Sequence, residues 1–207
     1  MQKLCSFFDR DIYHVEGGGA QPAVYFIADK DAGGILVNAP VYTEALKAEL
    51  EALAPLQILF LPSHFGAQDV LLWKQAGCKL VAQPAEAQFL NTPIDIALDS
   101  KLRLTRTIDF LPMSGRTPGS CALRLKNKPG AIFFGPILEC ASPDQWPTLM
   151  AHADDHSWET RIFGSLGLQD VHFEYAFTDT FVADRTPVGP GADLAIQTEL
   201  QAALDAD

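Results

Sequence analysis

Short apolar runs alternate with helical periodicities along this chain, and the two patterns predict most of its elements. Residues 23–28 (AVYFIA) and 35–38 (ILVN) are apolar runs separated by the polar stretch Asp29–Gly34, which predicts a β-hairpin. Leu46, Leu50 and Leu53 fall at helical spacing within 43–53, with Thr43 as a cap and Pro55 as a stop. A short buried strand is predicted at 57–61 (QILFL), then a helix over 69–76 that closes at Gly77. A further strand is predicted at 79–82 and a small helix from Pro84. Beyond these, 102–105, 107–112, 120–126 and 131–135 read as strands punctuated by Gly and Pro. The last quarter reads as helical over 147–165, a strand near 173–178 and a helix at 193–205. Strands thus alternate with helices in two successive blocks. No linker splits them, so the expectation is a single domain over residues 1–207, with two packed sheets and flanking helices.

Composition narrows the function classes. Hydrophobic residues make up 48% and charged residues 20%, as in an ordinary globular chain. Phosphate attraction needs clustered Lys and Arg, which a net charge of −11 opposes, so neither nucleic acid nor an anionic membrane surface is an expected partner. No signal-peptide pattern opens the sequence and no apolar run is long enough to span a bilayer; a cytoplasmic protein is expected. Cys5, Cys78, Cys121 and Cys140 lack CxxC spacing and read as reduced, packed thiols.

Four segments, in order, carry a resemblance. They are ILVNAP followed by a helix, LPSHFGAQD opening a second helix, GRTPGSCALRL, and the apolar strand AIFFGPILEC. Together with QPAE they resemble the metallo-β-lactamase-fold hydrolases over about residues 22–140. The resemblance implies an α/β four-layer fold, the αβ/βα sandwich of two mixed sheets, with a metal site at one edge. It also implies which residues should hold metal. In the family's His-x-His-x-Asp-His loop, His64 falls at the first His, Gly66 at the second, Gln68 at the Asp and Asp69 at the last His. Arg116 stands where the family has a His before Thr-Pro-Gly, and Pro136 where it has a bridging Asp. The last family His has no clear counterpart.

Those substitutions change the chemistry. A catalytic zinc site takes about three protein ligands from His, Cys, Asp and Glu. Gly66 and Pro136 offer no donor, Gln68 is a poor one, and Arg116 is a permanent cation with no lone pair. The expectation is a chain without catalytic residues or cofactor, keeping a residual pocket of His64, Gln68, Asp69 and Arg116. Arg116 is expected to pair with Asp69 or another carboxylate, or else to bind a small anion with His64. His64, Asp69, His152 and His156 are the weak metal candidates. On a helix, His152 and His156 would lie one turn apart on one face, although a solvated polar segment near a helix start is the plainer reading of 152–156. His14 and His172 read as packed or exposed singles, and Gly17-Gly18-Gly19 as a turn or a rim loop.

Three functions remain open. The first is a non-catalytic binding or scaffold protein on the fold, the second a hydrolase with a rearranged or single-metal site. The third is a metal-free binder of a small anion at Arg116. The partner is accordingly a small anion or another protein.

Overall fold

The structure is a computed structural model that describes residues 1–16, 22–99 and 103–205. The triple glycine at 17–19 lies outside the described residues. The chain divides into two compact units, Met1–Ser100 and Lys101–Asp207.

The N-terminal unit holds a seven-stranded sheet in chain order. Strands β1 (Gln2–Ser6), β2 (Arg10–Val15), β3 (Val24–Asp29) and β4 (Gly33–Val37) pair antiparallel. The remaining three, β5 (Leu56–Phe60), β6 (Lys79–Ala82) and β7 (Ile96–Ala97), continue the sheet in parallel. The change of sense is a matter of connection: β3 and β4 share a tight hairpin, whereas parallel strands need a crossover. Helix α1 (Glu44–Glu51) supplies one between β4 and β5, and α2 (Val70–Gln75) another between β5 and β6. Thr43 caps α1 as expected, its hydroxyl accepting from the Leu46 N–H at 3.0 Å. Phe26, Leu36, Leu50, Leu59, Trp73 and Leu80 form the core of this unit. Trp73 is fully buried, and its indole N–H donates to the Pro40 carbonyl at 2.8 Å.

In the C-terminal unit, β8 (Ile108–Pro112), β9 (Cys121–Leu125) and β10 (Ala131–Gly135) form an antiparallel meander, to which β11 (Tyr175–Thr178) adds in parallel. Asp109 and Arg124 face each other across β8 and β9 in a bidentate pair of 2.8 and 2.7 Å. Helices α3 (Trp158–Leu166) and α4 (Ala192–Asp205) complete the unit. Its core is built on Ile132, Phe134, Ile137, Leu138, Phe173 and Ile196.

Several sequence expectations need correction. The helix foreseen over 147–165 is confined to α3, because side chains hold the preceding segment in a loop. The Asp155 carboxylate accepts from the His152 N–H at 3.0 Å, and Ser157 starts the helix by accepting from the Thr160 N–H at 3.2 Å. Of the strand foreseen at 102–105, residue 102 is not described, and Arg103 forms only an isolated bridge to Asp109. The cysteines are all free, and burial pushes the Cys5 and Cys78 thiols up to about 12. Among the described residues, no helix is long and apolar enough to cross a membrane.

Candidate functional site

His64, Gln68 and Asp69 belong to the N-terminal unit, and Arg116, His152 and His156 to the C-terminal one. Each group is built by its own unit.

In the first, β5 delivers the chain through Leu61-Pro62 to Ser63, which is fully buried. The Ser63 hydroxyl accepts from the Phe65 N–H at 3.2 Å and caps a single 3-10 turn, His64–Gly66. Asp69 then adopts a left-handed φ of 46° ahead of α2, and its carboxylate accepts from the Tyr42 N–H at 3.0 Å. It is exposed and Gln68 half-buried, so the loop does not gather its polar side chains around one point.

His64 is the exception. One oxygen of Glu86 accepts from the His64 backbone N–H at 2.7 Å and lies 2.6 Å from ring Nδ1. Glu86 sits on a 3-10 segment, Pro84–Phe89, and is fully buried. In the neutral ring, a carboxylate at Nδ1 favours the tautomer with the proton on Nδ1 and the lone pair on Nε2. Phe89 stacks on the imidazole at 4.2 Å between centroids, and Phe65 meets it edge-on at 4.7 Å. Glu86 received no role from the sequence, although it is the last residue of the QPAE segment; the signal lay in that segment, and the contact spans 22 residues.

In the C-terminal unit, the turn after β8 presents Arg116 to the loop before α3. Gly115 makes the approach feasible: at φ 123° it has no Cβ, and a Cβ there would stand 2.6 Å from the Ser157 carbonyl oxygen and 2.7 Å from the Arg161 nitrogen. Arg116 Nη1 donates to Asp154 at 3.0 Å and lies 3.5 Å from Asp155, while Nε lies 4.0 Å from Glu139. Arg161, buried to 0% side-chain exposure, reinforces the cluster. Its Nη1 donates to both Asp155 oxygens at 2.9 and 2.8 Å and to the Met150 carbonyl at 2.6 Å, and its Nη2 to the Ile137 carbonyl at 2.8 Å. His152 Nε2 lies 2.7 Å from Glu139.

Arg116 and the 152–156 segment, read separately in the sequence, are therefore brought together, and the segment supplies counter-charge to Arg116. The two histidines do not share a helical face. Both precede α3, His152 faces Glu139, and His156 is exposed, with its N–H donating to the Arg116 carbonyl at 3.4 Å. Of the other histidines, His14 lies on β2 at 6.0 Å from the Tyr25 ring, and His172 is 91% exposed beside Asp193.

The hydrogen bond from Arg116 holds the Asp154 carboxyl below the usual carboxylate range. A depressed folded pKa contributes stability above the ordinary carboxylate value, and that contribution fades as pH falls through the folded value. In Arg116→Gln, the Asp154 midpoint is expected to rise toward an ordinary carboxylate when followed by NMR titration. An unmoved midpoint would mean that the pair does not form in solution.

The donor set does not fit the family's metal centre. Of the residues that the resemblance sets at ligand positions, Gly66 is buried and, like Pro136, carries no donor side chain, and Arg116 is a permanent cation with no lone pair. Among the described residues, no group of three or more His, Cys, Asp or Glu side chains could hold a metal ion.

No family model matches the chain, and no curated protein matches it in sequence. Solved structures do match it in fold. The BLEG-1 B3 metallo-β-lactamase aligns at a TM-score of 0.68 and 16% identity, covering 88% of this chain and 96% of that one. A metallo-β-lactamase from Pontibacter korlensis gives 0.67 at 12% identity, over 99% and 97%. One from Cronobacter sakazakii, named for a HARLDQ motif, gives 0.66 at 12% identity, over 100% and 93%. At such identities the likeness is one of fold alone. A seven-stranded and a four-stranded mixed sheet with flanking helices, matched over nearly the whole chain, give this protein the metallo-β-lactamase fold, the αβ/βα type that its motif segments resemble.

Proposed function

We propose that this chain is a non-catalytic binding or scaffold protein that keeps the metallo-β-lactamase fold without its metal chemistry. The observation that carries the reading is Arg116, the counterpart of a family ligand, with its guanidinium among three carboxylates of its own unit. A cation so neutralised is a structural fixture. It also has little charge left to attract a small anion, which weighs against the metal-free anion binder. Alignment of the solved structures over both units supports reading residues 1–207 as one domain.

The test is elemental analysis of protein expressed with zinc, iron and manganese in the medium and purified without chelator. Metal far below one ion per chain is expected, together with no hydrolysis of a β-lactam. Stoichiometric metal with chelator-sensitive hydrolysis would overturn the proposal.

That second outcome belongs to a single-metal hydrolase, and one feature favours it. A carboxylate on Nδ1 with Nε2 left as donor is how metal-binding histidines are commonly held. The neighbour named for HARLDQ also departs from His-x-His-x-Asp-His, with Arg at the second-His position, yet it is called a metallo-β-lactamase. Metal that is bound in the parent and lost in His64→Ala would establish this alternative.

A further inference from the structure

The second-His position of the metal loop is closed from within its own unit, and we infer that Asn38 is the residue that closes it. Asn38 directly follows β4 and is 1% exposed, at a left-handed φ of 64°. Its side chain lies against the bare α-carbon of Gly66. A Cβ on Gly66 would stand 1.9 Å from Asn38 Oδ1, 2.5 Å from Cγ and 2.9 Å from Cβ. All three distances are below any real carbon contact, so every side chain at position 66, histidine included, requires Asn38 to move.

Asn38 is held against moving. Its Nδ2 donates to the Ala23 carbonyl at 2.8 Å, and its backbone N–H to the Phe60 carbonyl at 3.0 Å. The next residue fixes the loop from the other direction, the Ala39 N–H donating to the Gly66 carbonyl at 2.8 Å. Rotating the Asn38 side chain away forfeits a buried amide bond, and shifting the backbone breaks two more. The glycine therefore does more than omit a ligand: the Asn38 side chain, just past β4, occupies the space a side chain at position 66 would need. This inference deepens the metal-free reading and rests on it for its functional meaning, while its geometry stands alone.

The experiment is a double-mutant cycle on the full chain, read as thermal midpoints by circular dichroism. Gly66→Ala is expected to lower the midpoint by about 4–10 °C, the effect of overpacking in a chain of this size. Asn38→Gly removes all three colliding atoms and suits the left-handed φ, but gives up the bond to the Ala23 carbonyl, so it lowers the midpoint by itself and serves as the reference background. In the double variant Gly66→Ala should lose more than half of its effect. An equal loss from Gly66→Ala in both backgrounds would overturn the assignment, because some other contact would then be closing the loop. If Gly66→Ala yields no folded protein, a folded double variant is the expected rescue, and an unfolded one overturns the inference. Stoichiometric metal in the parent chain would instead defeat the functional reading and leave this cycle's outcome intact.

Discussion

Arg161→Ala is expected to destabilise the protein by about 3–5 kcal/mol, the cost of removing one partner from a buried ion pair. Arg161 is wholly buried and binds both oxygens of Asp155, itself only 4% exposed, together with the Met150 and Ile137 carbonyls. Alanine would leave that buried carboxylate with only the His152 N–H as a close donor, and would take the guanidinium from two carbonyls. Arg116, 3.5 Å from Asp155, is too distant to take over its hydrogen bonds. The penalty comes from what is left behind. Replacing both members, as in Arg161→Met with Asp155→Leu, removes the unpaired charge and should cost less than Arg161→Ala, even with the His152 N–H bond given up. Urea denaturation of the three proteins measures both quantities. A loss under about 1 kcal/mol for Arg161→Ala would mark the cluster as solvated, with surface-like energetics.

Glu86→Ala is expected to cost about 2–3 kcal/mol, since a buried carboxylate there accepts from two donors of one residue. Half-buried His64 can turn its ring to water, but its backbone N–H has less freedom, so the loss should exceed that of a single surface bond. The variant should also change the imidazole itself. Without the carboxylate, the proton is no longer held on Nδ1, and nitrogen NMR of His64 should report a shift toward the Nε2–H tautomer. Glu86→Gln keeps one acceptor oxygen and should fall between parent and alanine in stability. An unchanged ring tautomer in Glu86→Ala would show that the carboxylate does not orient His64.

What could be read from the sequence was whatever depends on near neighbours. The 79–82 and 131–135 strands, the Thr43 cap and the hairpin between β3 and β4 arise from apolar runs, capping chemistry and Gly turns, all local signals. Strands β1 and β2 were not legible. Arg10 and Asp11 interrupt the apolar pattern of β2, and what makes Arg10 tolerable there is a buried pairing with Asp29, 3.1 Å away on the next strand. The functional residues divide the same way. His64 and Arg116 stand out against the motif, but their partners do not. An arginine within an amphipathic helix ordinarily faces solvent, so nothing in α3 marked Arg161 as buried. The acidic residues at 154 and 155 are visible, yet helical periodicity predicts a helix over a segment that the Asp155 side chain holds as a loop. Glu86 and Asn38 act across gaps of 22 and 28 residues, and no pattern of period two or 3.6 reaches so far.

Within each sheet, every strand lies beside its predecessor in the chain, β1 through β7 and then β8 through β11. Seen from the ribosome, this is an order of manufacture. Every hydrogen-bonding partner in the first sheet has been made once Ala97 has emerged, before any strand of the second exists. Translation at about 5–20 residues per second gives that sheet a head start of roughly 4–16 s over β11, the last strand of the second. A polypeptide stalled beyond Ala97 therefore already holds the strands at both edges of this sheet, β1 and β7, with no gap left open between them for a later strand.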